Sequence, residues 1–172
     1  MKIIKMDIAA SIIASILLVA AMSNPPLVVA QATESSKDLI ATGSFADDTF
    51  TIVSSKTIGG VTYLAVTGSG TVTGTLTGTY VFVGIIEVYS TGDAIYHVID
   101  KCRCTVAGKS GLIFFNEQGQ GNFFTGDFQA NLDIIKTTDG LKDLSGTGTL
   151  QGKQDTVTLL TSGTYSMNLT FG

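Results

Sequence analysis

The stretch Asp100-Lys101-Cys102-Arg103-Cys104 places three side chains of metal-binding type at alternate positions. On an extended strand, residues i, i+2 and i+4 share one face. Two thiolates and a carboxylate on one face form a candidate site for a soft metal such as zinc or copper. Such a site usually needs four ligands, and the sequence has only these 2 cysteines. Asp100, Cys102 and Cys104 are therefore metal candidates against two other readings. In an oxidising compartment the thiols can pair, within the chain or between chains. Cysteines at i and i+2 sit near the outer limit of disulfide Cα spacing. The third reading is a pair of inert thiols.

The 1 histidine of the chain, His97, falls on the face opposite to Asp100, Cys102 and Cys104. A turn at Thr91-Gly92-Asp93 would set Glu87 directly across from it. Cross-strand neighbours interact, so Glu87 and His97 are the candidate catalytic acid–base pair. The plainer alternative is a surface or rim pair. No Ser-His-Asp arrangement, phosphate loop or metal-spaced histidine cluster accompanies them, and no cofactor is expected. Among the aromatics, Tyr80, Phe82, Tyr96, Phe114 and Phe128 are the candidates for lining a ligand cavity, with core packing as the alternative. Asn168-Leu169-Thr170 is a glycosylation sequon, meaningful only in a host that glycosylates exported proteins.

The elements that must position these residues read as strands. In TGSGTVTGTLTG, residues 67–78, the odd positions are Thr or Ser and the even positions are Gly, Val or Leu. SGTGTLQG, residues 145–152, follows the same rule. A linker has no cause to alternate, whereas a strand with two different faces does. Thr favours strands because its branched Cβ fits the pleat. Repeated Gly on one face signals a geometric demand, such as strong coiling or a crowded interior. Closed barrels make both demands, since interior side chains alternate large and small. A β-sandwich is the alternative.

Further strands are expected at 39–45, 49–56, 61–67, 79–90, 94–106, 111–116, 123–136, 157–161 and 164–171. Turns are expected at Asp47-Asp48, Gly59-Gly60, Thr91-Gly92-Asp93, Gly108-Lys109, 118–121, 138–140 and Ser162-Gly163. No amphipathic helix follows residue 30, and both prolines precede it. The pattern is that of an antiparallel all-β domain.

Residues 1–30 form a separate unit. Lys2 and Lys5 start it, an apolar run spans Ile8 to Met22, and Val28-Val29-Ala30 offers small residues before a cleavage point. This is the three-part pattern of a secretory signal peptide, with cleavage expected after Ala30. The alternative is an uncleaved anchor, which would be the chain's one contact with a membrane. A span usually takes about 18 or more apolar residues, which Pro25 and Pro26 disfavour here. Residues 31–38 are polar and expected to be a flexible lead, and residues 39–172 a single domain. The formal net charge of the whole chain is −4, and removing Lys2, Lys5 and Asp7 makes it one unit more negative. An acidic surface repels phosphate backbones, so nucleic acid is not an expected partner.

In order along the chain stand ATGSF, TGTLTGTY, VAGKSGLIFF followed by GQGNF, SGTGTLQG and SGTYSMNLTF. This series resembles a family of small bacterial domains of unknown function, over roughly residues 40–171. The resemblance implies an eight-stranded antiparallel barrel of the allene oxide cyclase-like type, related in shape to dirigent and lipocalin-like barrels. It implies no settled activity. Allene oxide cyclases and dirigent proteins act on hydrophobic small molecules inside the barrel, and no residue pattern here carries over their active sites.

The sequence thus leads to an exported barrel, extracellular or in the cell envelope. Its expected role is non-catalytic binding of a small hydrophobic molecule, or a cell-surface interaction. A cyclase or isomerase working in the cavity and a structural envelope protein are the alternatives.

Overall fold

A computed structural model of the chain describes residues 37–172. The expected signal peptide, its cleavage point and most of the expected lead lie outside the described residues. Eight strands follow one another: β1 Lys37–Ile58, β2 Val61–Gly74, β3 Leu76–Tyr89, β4 Asp93–Val106, β5 Lys109–Asn122, β6 Asp127–Thr137, β7 Leu144–Gln154 and β8 Thr161–Phe171. Each pairs antiparallel with the next. β8 then pairs with β1, from Lys37↔Phe171 to Ala46↔Ser162, so the ring closes as a barrel and leaves no free edge. A single 3₁₀ turn, Asp139–Leu141, interrupts the strands.

The glycine face explains the closure. Gly68 and Gly70 of β2 stand opposite Phe82 and Tyr80 of β3, and Gly146 and Gly148 of β7 stand opposite Leu169 and Met167 of β8. A Cβ on any of the four would collide with that neighbour's side chain and with backbone across the strand. The small residues make room for the large ones, which is how a narrow barrel fills its interior. The outer face of the same strands carries the hydroxyls, and these pair across strands, Ser44 with Thr73 at 2.9 Å and Thr49 with Ser69 at 2.9 Å.

Several expected boundaries are corrected. Lys37 and Asp38, placed in the lead, already pair in β1. Asp47-Asp48 is not a turn but a bulge within β1, where the register with β2 slips by one residue. Residues 118–121 are strand, because Gly119 and Gly121 leave space for Ala130 and Phe128 rather than reversing the chain. Residues 157–160 are the expected strand that does not form. Asp155 instead accepts the backbone N–H groups of Val157 and Thr158 at 2.9 and 2.7 Å, closing a turn. Ser162-Gly163 lies in β8, with Gly163 facing Gly152.

Two apolar clusters fill the barrel. One occupies the end where β1 enters and β8 leaves, and includes Ala41, Leu76, Cys102, Cys104, Val106, Ile113, Leu144, Met167 and Leu169. Leu141 from the 3₁₀ turn seals that base and is 0% exposed. The second lies towards the opposite end on β2, β3 and β4, and includes Leu64, Val66, Phe82, Ile86, Tyr96 and Val98.

Candidate ligand cavity

Between the two clusters the interior opens into a cavity of about 120 Å³. That is several times the space one water needs on a comparable measure. Phe45, Phe82, Tyr96, Phe115, Phe128 and aliphatic side chains form most of the wall. Three carboxyl groups interrupt it: Asp47, Asp100 and Glu117.

Asp47 points inward by the alternation of β1, in phase with Ala41, Gly43 and Phe45, and the bulge comes only after it. Tyr80 Oη donates to Asp47 Oδ1 at 2.6 Å, and the Thr161 backbone N–H donates to Oδ2 at 3.1 Å. The Thr161 hydroxyl donates to the same Oδ2. Burial raises the Asp47 pKa, and the donors from Thr161 and Tyr80 work against that rise. Tyr80 reaches Asp47 because Gly70, across from it, leaves its ring room.

Asp100 and Glu117 lie on neighbouring strands. Val98 is opposite Glu117 and Asp100 is opposite Phe115, so the two acids are diagonal neighbours on the inner face. Both are half-buried, and both line the cavity. Burial raises both pKa values, and the Asp100 charge adds to the rise at Glu117. Their carboxyls are close enough to hydrogen-bond to one another when one carries a proton. Two carboxyls this close in an apolar setting share a proton, since two charges cannot both be sustained there. Tyr96 stands beside them. Burial and the Glu117 charge push its phenol up to about 12.

Two further polar side chains complete the wall. Gln154, 4% exposed, donates from Nε2 to the Leu159 carbonyl at 3.0 Å, and its Oε1 is buried without a partner. Tyr165 Oη accepts the Leu76 N–H at 2.9 Å and donates to the Thr73 carbonyl at 3.2 Å. It ties β8 to the β2–β3 turn across the barrel.

Tyr80, Phe82, Tyr96 and Phe128 line the cavity. Phe114 does not. It sits on the outer face with Lys101 and Lys136 at 6.0 and 5.6 Å from its ring, and Phe115 takes the inner place. Asp100 faces inward with Cys102 and Cys104, as the spacing requires. The cysteines are joined to one another, with Cα atoms 5.4 Å apart, which corrects the metal reading: a disulfide has no thiolates to offer. Among the described residues no cluster of His, Cys, Asp and Glu converges as a metal site does.

The Glu87–His97 pair is also corrected. The β3–β4 hairpin is centred one residue earlier than expected, so Glu87 is opposite Ile95 and His97 is opposite Ile85. His97 is exposed, and Glu87 accepts from Tyr89 Oη at 3.4 Å on the outer face. Neither lines the cavity. Asn168 is exposed in mid-β8, opposite Ile40 and Thr147.

Sequence reasoning missed Asp47 and Glu117. Asp47 was hidden in an Asp-Asp pair that looks like a turn, and Glu117 lay just past the expected end of its strand. The parity of Ile113, Phe115 and Glu117 was the available signal for the second.

No protein-family model matches the sequence, and no curated protein does. Two solved structures share the fold. One is a protein of unknown function of the DUF3224 family from Shewanella oneidensis MR-1, with a TM-score of 0.62 and 18% identity over 79% of this chain and 98% of that one. The other is the pterocarpan synthase dirigent protein PsPTS1, with a TM-score of 0.53 and 13% identity over 79% of this chain and 95% of that one. At such identities the likeness is one of fold. It is the fold that the sequence resemblance implied, in a domain of unknown function and in a dirigent barrel.

Proposed function

We propose that this chain is an exported barrel that binds a small, mostly apolar molecule in its interior without transforming it. One observation carries the reading: an apolar cavity in which a few polar groups converge, the form binding sites take. A barrel of eight strands is just wide enough either to fill with side chains or to hold one small ligand. Here side chains of both packed clusters line an interior space that they leave unfilled. Export rests on the signal-peptide pattern of residues 1–30.

Native mass spectrometry of the protein from its host's exported fraction tests this directly. The expected result is a polypeptide beginning at Gln31 with a retained small molecule. A bare polypeptide that also takes up no hydrophobic compound from a panel would overturn the reading and leave a structural envelope role.

The shared proton of Asp100 and Glu117 favours one second reading, a cyclase or isomerase acting in the cavity. A carboxyl whose pKa is raised by burial is suited to general acid–base work. Replacing Glu117 by Gln separates the two. A binder retains the same compound in the variant, whereas an enzyme retains its untransformed isomer, resolved by chromatography of the extracted ligand.

A further inference from the structure

We propose that the ligand is an organic cation: a small amine with an apolar body, its N–H groups received by the carboxyls of the cavity and by Gln154. This rests on the reading of the cavity as a binding site and names the class of molecule it takes.

Donors and acceptors decide the class of ligand. Nearly all the polar capacity still open in the cavity accepts. The Tyr80 and Thr161 hydroxyls are spent on Asp47, and the Tyr165 hydroxyl on backbone carbonyls. The proton of the Asp100–Glu117 pair is held between the two carboxyls. Of the lining hydroxyls, the Tyr96 phenol alone can still donate. Against it stand the open lone pairs of three carboxyls. Gln154 Oε1 adds an independent sign. It is a buried acceptor without a donor, and its amide cannot turn to satisfy it, because Nε2 is already committed to Leu159. Leaving such an atom unpaired is costly, and a ligand N–H removes that cost.

Charge points the same way. Among the described residues lining the cavity none is Lys, Arg or His. Carboxyls of β1, β4 and β5 and phenols of β3, β4 and β8 are its ionisable groups, and β2, β6 and β7 contribute none. An anion entering here meets only repulsion, whereas a cation meets carboxylates and aromatic faces. A bare metal ion is a poorer fit than an ammonium group, because the acids do not converge on one point. The apolar wall requires the body that a metal lacks.

The decisive experiment is calorimetric titration of the full mature chain with matched amine, alcohol and carboxylate ligands. Phenylethyl, hexyl and indolylethyl bodies give three such sets. At pH 7.5, amines should bind at least tenfold more tightly than the alcohols, and the carboxylates should not bind. Amine binding should also release a proton from the acid pair, read as a heat that changes with the ionisation enthalpy of the buffer. Exchanging Asp100 for Asn together with Glu117 for Gln should abolish the preference and the proton release while alcohol affinity holds. Alcohols binding as well as amines would overturn the cation and leave the binding reading standing. Failure of every ligand in all three sets would overturn both. The comparison of ligands on the unaltered protein decides the matter even if the double variant does not fold.

Discussion

The base of the barrel and its midsection are built from the same strands to different ends. In the base, the inward positions of β3, β4, β5, β7 and β8 are apolar or glycine, and they pack as one cluster. Two or three residues further along the same strands, the inward positions become Tyr80, Asp100 and Glu117, and space opens. Burying a carboxyl in an apolar wall weakens the fold unless something offsets it. A chain selected for stability alone would have continued the base upward. The base is therefore read as scaffold and the midsection as the working part.

Substitutions should separate the two. The largest effect belongs to the base: Ile113→Ala, at a side chain with no exposure, should cost about 2–5 kcal/mol in urea unfolding. It should leave ligand preference unchanged once the protein is folded.

The midsection acids should act through pH. Their pKa values are raised in the fold, so the native state keeps protons that the unfolded chain has released. Stability should then fall as pH rises from the ordinary aspartate value of 3.8 towards about 7, and level off above the folded values. The slope should be on the order of 1 kcal/mol per pH unit within that window. Exposed Asp127 and Asp155, whose pKa values are lowered by hydrogen bonds, act in the opposite sense at lower pH. The Asp100→Asn, Glu117→Gln double variant should flatten the loss of stability towards neutral pH, as measured by thermal unfolding across pH. An unchanged profile would mean that these acids are not the buried pair described.

A smaller effect is expected at Asp47. Tyr80→Phe removes one of its donors and should cost about 1.5–3 kcal/mol, the range for hydrogen bonds to charged groups. Least of all should His97→Ala matter. At an exposed outer-face position it should change stability by under about 0.5 kcal/mol and binding not at all. A loss of binding there would place the site on the outside of the barrel and sink the contrast drawn above.

Much of the scaffold was legible in the sequence, because alternation is a local signal. The Thr and Gly faces of 67–78 and 145–152 were readable residue by residue, and repeated Gly signalled a crowded interior. What the glycines accommodate was not legible. That Gly70 makes room for Tyr80 depends on register between strands, and a one-residue shift in the hairpin centre moved Glu87 from His97 to Ile95. The site was harder still. Asp100 was recognised, but beside the wrong partners, since its nearest chain neighbours are cysteines and its true partner, Glu117, comes from the next strand. Asp47 is in phase with Ala41 and Phe45, but the bulge that follows it reads locally as a turn and hid that phase. Chemistry assembled across strands leaves little trace along one.

The most direct test of the account is a carbon NMR titration of the Asp100 and Glu117 side-chain carboxyls in the folded protein. Two coupled transitions are expected, both above the ordinary carboxylate range and both shifted downward when an amine occupies the cavity. Two independent transitions near pH 4, unmoved by any ligand, would mean that these acids stand in open water. The cavity would then not be the working part of the molecule.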